Sequence, residues 1–372
     1  MTSAPESPVD PPLALLAELT HRCPLRCPYC SNPLALAGRS TELTTEVWLD
    51  VFAQAGRLGI LQVHLSGGEP AARRDLEALV AGARSAGLYT NLITSGLLLD
   101  RARLERLRQA GLDHVQLSVQ DSEPCGADRI AGFQGAHERK LAIAADIRAV
   151  GLPLTLNVVV HRHNIARVPE LIDLALALDA ARLEVAHAQY YGWGLANRAA
   201  LLPTRAQLEA ATAIVTQARE RLKGRLAIDY VPPDYYARRP KACMGGWGRR
   251  FVAVAPDGAI LPCHAARTIP GLEFPDVRQT SLADAWQHAA AFTHFRGTGW
   301  MREPCRSCNR REIDWGGCRC QALALAGAAD VVDPACSLSP LHETLVAVAE
   351  GESASPPPAF RYRSLSEGPK IA

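Results

Sequence analysis

Short apolar runs alternate with helical patterns over the first half of the chain. The strand-like runs cover residues 13–20, 60–66, 89–94, 114–119, 154–160 and 182–187. Apolar residues at three- and four-residue spacing predict helices over residues 46–58, 73–86, 101–110, 137–150, 168–178 and 204–222. Strands that alternate with helices indicate an α/β fold with a parallel sheet. Six such units predict a partial, TIM-like (β/α)6 barrel with its active site at the C-terminal ends of the strands.

The pattern changes at about residue 226. Long helical patterns become scarce, turn residues increase, and seven of the 11 cysteines lie between Cys243 and Cys336. A loop-rich region with this many thiols is typical of a domain that metal holds together. We therefore predict a disordered N-terminus (1–12), an α/β core (13–225), a metal-binding domain (226–345) and a Ser/Pro-rich disordered tail (346–372).

Composition and charge narrow the class of protein. The formal net charge of +2 over 372 residues gives no argument for nucleic acid or a membrane surface. No apolar run reaches the roughly 18 residues of a membrane span, and no basic segment precedes an apolar core at the N-terminus. We expect a cytoplasmic protein, in which 11 cysteines indicate metal or redox chemistry rather than disulfides. Cys125 stands far from the other cysteines, and we interpret it as a bystander.

Three cysteines follow the first predicted strand as C-x3-C-x2-C: Cys23, Cys27 and Cys30. Three thiolates on a [4Fe–4S] cube leave one iron open for an outside ligand. The motif, with the aromatic Tyr29 before its third cysteine, resembles the radical SAM superfamily, in which that iron chelates S-adenosylmethionine (SAM). The resemblance implies reductive cleavage of SAM to the 5′-deoxyadenosyl radical. A zinc loop is the alternative, although zinc usually prefers two pairs of ligands.

A glycine-rich turn follows the second predicted strand: Gly67, Gly68, Glu69 and Pro70. In the radical SAM superfamily this edge binds the amino group of SAM with backbone carbonyls and a carboxylate, because glycine lets the backbone approach a ligand. The resemblance also implies that polar residues near later strand ends contact the ribose or the carboxylate of SAM. These residues are Ser95, Ser118 and Asn157, for which ordinary polar strand ends are the alternative.

The C-terminal cysteines resemble the SPASM extension, which holds two auxiliary iron–sulfur clusters in radical SAM enzymes that modify peptides. Gly258 precedes Cys263 as G-x4-C, and Cys305 begins a C-x2-C pair. The chain departs from the family pattern at one place, because Asp314 stands where the family has a cysteine. A carboxylate can bind iron, but it is a harder ligand than thiolate and shifts the potential of a cluster.

The resemblance implies two sets of auxiliary ligands. The first set is Cys243, Cys263, Cys318 and Cys320. The second set is Cys305, Cys308, Asp314 and Cys336. Each cluster is expected to be [4Fe–4S] or [2Fe–2S]. His264 is an alternative ligand beside Cys263, and two structural zinc sites are the alternative to both clusters.

Several further stretches resemble the radical SAM enzymes of pyrroloquinoline quinone (PQQ) biosynthesis. They are residues 18–33, 189–193, 244–250, 305–308 and 314–321. The resemblance implies a C–C bond between a glutamate and a tyrosine of a small precursor peptide, as an early step of that pathway. The radical would take a hydrogen from the glutamate side chain, and the resulting carbon radical would add to the tyrosine ring. Rearomatisation of the ring would then release a proton and pass one electron to an auxiliary cluster. The resemblance also implies a small peptide chaperone and a low-potential reductant such as flavodoxin.

Spacing alone supports SAM cleavage and additional clusters, and it identifies neither the substrate nor the new bond. Candidate substrate contacts are Tyr190, Tyr191, Trp193, Tyr235, Tyr236 and Arg250. Aromatic stretches more often pack than bind. Another SPASM peptide maturase, for example one that forms thioethers, would share every cluster ligand. A non-catalytic iron–sulfur electron carrier would need no SAM site, and a zinc-stabilised binding module would need no iron.

Overall fold

The computed structural model describes residues 9–364, and a sheet of nine strands organises this part of the chain. The strands are β1 (Ala14–Thr20), β2 (Gln62–Gly67), β3 (Tyr89–Thr94), β4 (His114–Val119), β5 (Leu154–Val160), β6 (Arg182–His187), β7 (Ala227–Val231), β8 (Phe251–Val254) and β9 (Ile260–Leu261). Their order in the sheet is β7-β6-β5-β4-β3-β2-β1-β8-β9. All neighbours are parallel except β8 and β9.

Helices connect the strands and continue beyond them. Those of the first part are α1 (Thr45–Leu58), α2 (Leu76–Ser85), α3 (Arg101–Gln109), α4 (Pro124–Ala131), α5 (Ala136–Ala149), α6 (Val168–Ala177), α7 (Gly192–Ala196), α8 (Arg198–Leu201) and α9 (Arg205–Arg221). Those of the second part are α10 (Leu282–His288), α11 (Ala290–Thr293), α12 (Arg311–Asp314), α13 (Arg319–Ala326) and α14 (His342–Ala354). The parallel α/β architecture predicted from the sequence is confirmed.

Three strands extend the sheet beyond the six predicted units. β7 pairs with β6 at one end, and β8 pairs with β1 at the other, with Leu15 opposite Val252 and Ala17 opposite Val254. Val252 and Val254 belong to the same buried apolar core as Leu15. The first part of the cysteine-rich region is therefore built directly onto the edge of the barrel sheet.

Alternation along each strand gives the sheet two different faces. In β4, Val115, Leu117 and Val119 are buried in the apolar core that the helices cover. Gln116 and Ser118 point the other way and line an interior cavity. The period of two along a strand thus separates residues that stabilise the fold from residues that face the site.

The N-terminal residues that the structure describes are fastened to α10. The side chain of Gln287 accepts a hydrogen bond from the backbone N–H of Val9 at 3.0 Å and donates one to the backbone oxygen of Val9 at 2.8 Å. The indole of Trp286 donates to the backbone oxygen of Asp10 at 3.0 Å. The expectation of a disordered segment 1–12 is therefore wrong for residues 9–12, and residues 1–8 lie outside the described residues.

The C-terminal segment also differs from the expectation. Helix α14 covers residues up to Ala354, and residues 355–364 continue as an extended segment that we call the C-terminal strap. Arg162 holds its beginning by donating to the backbone oxygens of Ser353 at 2.9 Å and Ser355 at 3.0 Å. The expected disordered tail is thus wrong for residues 346–364, because specific hydrogen bonds offset its Ser/Pro-rich composition. Residues 365–372 lie outside the described part.

No helix within residues 9–364 is both long and apolar enough to cross a membrane. All eleven cysteines are free thiols.

Candidate active site and cysteine clusters

A cavity of about 550 Å³ lies against the C-terminal parts of β1 to β6. Its walls bring together most of the residues predicted to hold the SAM cluster and SAM. These are Cys23, Cys27, Cys30, Gly67, Gly68, Ser95, Ser118 and Asn157. They come from the loop after β1, from the ends of β2, β3 and β4, and from the middle of β5, so the parallel sheet is what makes them neighbours.

The three thiols of the first motif are partly exposed to this cavity. Desolvation raises the pKa of Cys23 to about 12, and the nearby Arg363 opposes this. Desolvation raises the pKa of Cys27 to about 11, against the opposing charge of Lys140. A bound metal supplies the positive charge that ionises such thiols outright. The donor set therefore fits an iron–sulfur cluster held by three thiolates.

Cys27 is linked to a chain of buried polar groups. The hydroxyl of Tyr29 hydrogen-bonds to the Cys27 sulfur and accepts from the amide of Gln120 at 3.2 Å. The ammonium of Lys140 donates to the amide oxygen of Gln120 at 2.5 Å and to the backbone oxygen of Ser118 at 2.8 Å. Burial lowers the pKa of Lys140 to about 8. Hydrogen bonds of this kind orient metal ligands and tune a cluster.

The glycines after β2 allow the backbone to pass very close to the cysteine loop. Gly67 has a φ of +125°, and a Cβ there would lie 2.3 Å from the backbone oxygen of Thr20. A Cβ at Gly68 would lie 2.5 Å from the backbone oxygens of His21 and Arg22. Only glycine fits such an approach. The glycine pair thus sets the position of the cysteine loop as well as lining the cavity.

Glu69 and Pro70 are not among the residues that line the cavity. The fully buried Glu69 carboxylate accepts hydrogen bonds from the Thr94 hydroxyl at 2.7 Å, the Ser95 N–H at 2.7 Å and the Ala71 N–H at 3.0 Å. It also accepts from the Ser95 hydroxyl. Glu69 therefore acts on the site by fixing Ser95 at the end of β3.

A row of polar side chains inside the barrel was not predicted from the sequence. The Asn91 amide lies 3.0 Å from Nδ1 of His64 and donates to Gln116 at 3.4 Å. Gln116 donates to Glu184 at 3.0 Å. His64, Gln116 and Glu184 line the cavity. The signal was present in the sequence, because these residues occupy every-second positions in otherwise apolar strands.

The first predicted auxiliary set is brought together by the structure. The thiol of Cys318 interacts with the thiols of Cys243 and Cys320, and the thiol of Cys263 interacts with that of Cys320. The neighbouring Cys320 lowers the pKa of Cys263 to about 7, and the neighbouring Cys243 and Cys320 hold the pKa of Cys318 well below its ordinary value. Cys318 is also the N-cap of α13, where its sulfur accepts from the N–H of Gln321 at 3.4 Å.

The second predicted auxiliary set lines a separate small cavity: Cys305, Cys308, Asp314 and Cys336. Asp314 is only 8% exposed and accepts a hydrogen bond from the N–H of Gly316 at 3.1 Å. Arg310 lies 3.4 Å from its other carboxylate oxygen. Arg239 donates to the sulfur of Cys336 at 3.2 Å. The carboxylate therefore stands where a thiolate would otherwise complete the set.

A tight turn separates the two auxiliary sets. Trp315, Gly316 and Gly317 have φ angles of +52°, +76° and +79°, which is the left-handed region. The turn directs Asp314 to one set and Cys318 to the other. A Cβ at Gly317 would lie 2.4 Å from a carboxylate oxygen of Asp333, so glycine is required there.

Arg319 is a buried cation that serves both auxiliary sets. It is 1% exposed, and it donates to the backbone oxygens of Ala329 at 2.8 Å and Val331 at 2.7 Å. Desolvation raises the pKa of Cys305, in the second set, to about 11, and Arg319 opposes this rise. Arg319 acts in the same direction on Cys318 in the first set.

The remaining candidates have different environments. Tyr191 and His264 line the large cavity and hydrogen-bond to each other beside Cys263. Tyr190 and Tyr235 line a second, mostly apolar cavity of about 210 Å³. The hydroxyl of Tyr236 donates to the backbone oxygen of Ala349 in α14 at 3.3 Å. Neither Trp193 nor Arg250 is among the residues that line these two cavities.

Cys125 is exposed on α4 and belongs to none of the three sets. Across residues 9–364, no group of three or more His, Cys, Asp or Glu side chains is arranged to hold a single metal ion.

Comparison with known families and proteins identifies the family of this chain. Residues 17–175 match the radical SAM superfamily, and residues 243–309 match the SPASM iron–sulfur cluster-binding domain. The chain is 58% identical over 365 residues to the PqqA peptide cyclase of Granulibacter bethesdensis. The matched region covers 98% of this chain and 97% of that protein. The chain belongs to the PqqA peptide cyclase family of radical SAM enzymes. The cyclase of Rhodopseudomonas palustris is 60% identical, over 96% of this chain and 95% of that protein.

Solved structures share the fold of this PqqA peptide cyclase family member at low identity. Streptococcus suis SuiB bound to S-adenosylmethionine has a TM-score of 0.74 and 19% identity, covering 88% of this chain and 78% of SuiB. Native anSMEcpe with bound AdoMet has a TM-score of 0.65 and 17% identity, covering 91% of this chain and 100% of that one. Membership of an enzyme family is at odds with a non-catalytic electron carrier or a zinc-stabilised binding module.

Proposed function

We propose that this enzyme joins a glutamate and a tyrosine side chain of the precursor peptide PqqA by a C–C bond, as an early step of PQQ biosynthesis. The observation that carries the proposal is an identity of 58–60% over nearly the full length to proteins named PqqA peptide cyclase. The large cavity supports it, because three cysteines and the glycine-rich turn meet there at the ends of parallel strands.

We infer three iron–sulfur clusters in the active protein. The SAM cluster, a [4Fe–4S] cube, is assigned to Cys23, Cys27 and Cys30. The auxiliary clusters, [4Fe–4S] or [2Fe–2S], are assigned to Cys243, Cys263, Cys318 and Cys320, and to Cys305, Cys308, Asp314 and Cys336. When bound, the SAM cluster and SAM supply the 5′-deoxyadenosyl radical, and the auxiliary clusters supply places for an electron. The proximity of the thiols within each set supports this assignment.

The chain's own residues bind and orient in this scheme. Backbone carbonyls at Gly67 and Gly68 bind the amino group of SAM. Ser95, Ser118 and Asn157 offer hydrogen bonds to its ribose and carboxylate from the cavity wall. The hydrogen-bonded pair of Tyr191 and His264 lines this cavity, and His264 is next to Cys263 in the chain.

The partners we propose are PqqA, a PqqD-type chaperone that presents it, and a low-potential reductant such as flavodoxin. SuiB, which shares the fold, has been crystallised bound to its precursor peptide SuiA. That precedent and the names of the relatives support a peptide as the substrate.

The test is a peptide cyclisation assay under anaerobic conditions. The enzyme is incubated with SAM, a reductant, PqqA and PqqD, and the peptide is analysed by mass spectrometry. We expect a product lacking two hydrogens whose fragments place the new bond between a glutamate and a tyrosine. Cys27→Ala should abolish the product, whereas Cys125→Ala, at an exposed cysteine outside the three sets, should not. A cross-link through another residue, such as a cysteine thioether, would contradict the proposal.

A further inference from the structure

The C-terminal strap is attached directly to the loop that carries the first three cysteines. Asn197 accepts a hydrogen bond from the N–H of Arg361 at 2.7 Å and donates to the backbone oxygens of Arg361 at 3.0 Å and Pro28 at 3.1 Å. Asn197 is only 3% exposed. One buried amide therefore joins the strap to the segment between Cys27 and Cys30.

Aromatic residues of the strap fix it on its other side. The ring of Phe360 lies 4.9 Å from the ring of His163, and the Arg129 guanidinium lies 5.5 Å from the Phe360 ring. The hydroxyl of Tyr362 donates to the backbone oxygen of Arg129 at 2.5 Å, and Arg26 of the cysteine loop lies 5.5 Å from the Tyr362 ring. The strap thus holds a defined position on the wall of the site.

This arrangement of the strap places the side chain of Arg363 in the wall of the cavity. Its Nε donates to the backbone oxygen of Leu25 at 3.0 Å, and its Nη2 donates to the backbone oxygen of Cys23 at 3.1 Å. The side chain is 7% exposed and lines the large cavity. Its Nη1 is buried and has no hydrogen-bond partner among residues 9–364.

An unpartnered nitrogen on a buried guanidinium is costly, which indicates that a ligand completes it. Lys140, the other buried cation near these thiols, differs because its ammonium already donates to Gln120 and to the backbone of Ser118. Nη1 of Arg363 is therefore free to donate to a negatively charged group in the cavity.

We propose that Arg363 is a positioning residue of the SAM-cluster site, which clamps the cysteine loop and directs Nη1 towards the cluster. This rests on the proposed assignment of that cluster to Cys23, Cys27 and Cys30. Reduction adds negative charge to a cluster, and a nearby buried cation with a hydrogen bond to its sulfurs favours the reduced form. The strap thereby raises the reduction potential of the cluster that must deliver an electron to SAM.

The experiment is a redox titration of the full-length, iron-loaded enzyme followed by electron paramagnetic resonance. The SAM cluster is identified as the signal that added SAM changes. Arg363→Gln and Arg363→Met remove the charge, Arg363→Lys keeps it, and Arg361→Gln is the matched control on the same strap. Arg361 is exposed and bonds to Asn197 through its backbone only.

For the two neutral variants we expect about a tenfold lower ratio of reduced to oxidised SAM cluster at a fixed potential, which is about 59 mV for a one-electron couple. Arg363→Lys should recover most of the shift, and Arg361→Gln should match the wild type. Selective loss of the SAM-sensitive signal in the neutral variants, with retention in Arg363→Lys, would also support the proposal. An unchanged potential and iron content in both neutral variants would overturn it. A wild-type protein without a SAM-sensitive signal would instead contradict the proposed function.

Discussion

Asp314 is the position at which this chain differs most informatively from the cysteine pattern of SPASM domains. Its carboxylate is buried beside Cys305, Cys308 and Cys336, and a hydrogen bond from the N–H of Gly316 orients it. A hard oxygen ligand in a set of thiolates changes the electronic structure and potential of a cluster. The single substitution thus predicts a second auxiliary cluster with its own spectrum.

Replacing Asp314 tests whether its carboxylate is a ligand. Asp314→Cys should retain iron at this cluster but alter its paramagnetic resonance spectrum, and Asp314→Ala should lose iron from this cluster alone. Glu312→Ala, on the same helix with a side chain 67% exposed, should change neither. The measurement is the paramagnetic resonance spectrum and the iron content of the wild type and the three variants, prepared in parallel. Identical spectra for the wild type and Asp314→Cys would remove Asp314 from the ligand set.

Gly67 should be far less tolerant of a side chain than a glycine that only has a positive φ. Gly67→Ala places a Cβ 2.3 Å from the backbone of Thr20. Gly87 has a φ of +81°. Apart from its two chain neighbours, no described residue has an atom within 4 Å of a Cβ placed there. Gly87→Ala should therefore cost only the left-handed strain of about 1–2 kcal/mol. Gly67→Ala should cost more and also displace the cysteine loop.

Denaturation midpoints and 5′-deoxyadenosine formation measured on both alanine variants separate these effects. We predict a large loss of deoxyadenosine for Gly67→Ala and near-normal formation for Gly87→Ala. Equal activities in the two variants would show that the close approach at Gly67 is not needed.

At the scale of elements, the barrel strands were predictable and several later elements were not. The strands β1 to β6 are recognisable because each short apolar run is followed by its own helix, so the pattern is local. β8 is only four residues long and pairs with β1, which lies far from it in the chain. The strap was not predicted because composition describes an average over the segment, whereas Asn197 and Arg363 hold the strap through specific hydrogen bonds.

The three cysteines of the first motif were predicted from their spacing in the sequence. The polar row inside the barrel was not predicted, because its residues lie on different strands and form no sequence motif.

Helix α9 offers a test of how the barrel elements are stabilised. Thr204 and Gln207 form a capping box, in which Thr204 Oγ1 accepts from the Gln207 N–H at 3.2 Å and the Gln207 side chain accepts from the Thr204 N–H at 2.9 Å. Thr204→Ala should lower the free energy of unfolding by about 1 kcal/mol. Thr216→Ala on the same helix is the control, because its hydroxyl is exposed and bonds only to the Thr212 backbone. Equal denaturation midpoints for both variants would contradict this role of the cap.

At the scale of the whole molecule, the two parts of the chain are held together differently. The strands and helices of the first part share one large apolar core. The region around the auxiliary cysteines has a much smaller apolar cluster, which includes Trp247, Ile269 and Phe295 together with Cys263 and Cys320. We propose that the auxiliary cluster ligands substitute for a core there.

Removal of iron should consequently affect the two parts unequally. In hydrogen–deuterium exchange, the iron-free protein should lose protection in residues 302–341 while β1 to β7 keep theirs. The iron-loaded protein measured in parallel is the reference. Uniform loss of protection across both parts, or none at all, would show that the clusters do not stabilise this region selectively.

We propose that the loop from Cys23 to Cys30 carries a cluster that cleaves SAM, in a protein that also carries auxiliary clusters. The most direct measurement is 5′-deoxyadenosine formation by the anaerobically reconstituted enzyme with SAM and a strong reductant, with iron counted on the same sample. We predict deoxyadenosine together with more iron than one cube holds, and for Cys27→Ala no deoxyadenosine but retained auxiliary iron. Full iron loading without deoxyadenosine in the wild type, or undiminished deoxyadenosine in Cys27→Ala, would contradict the account.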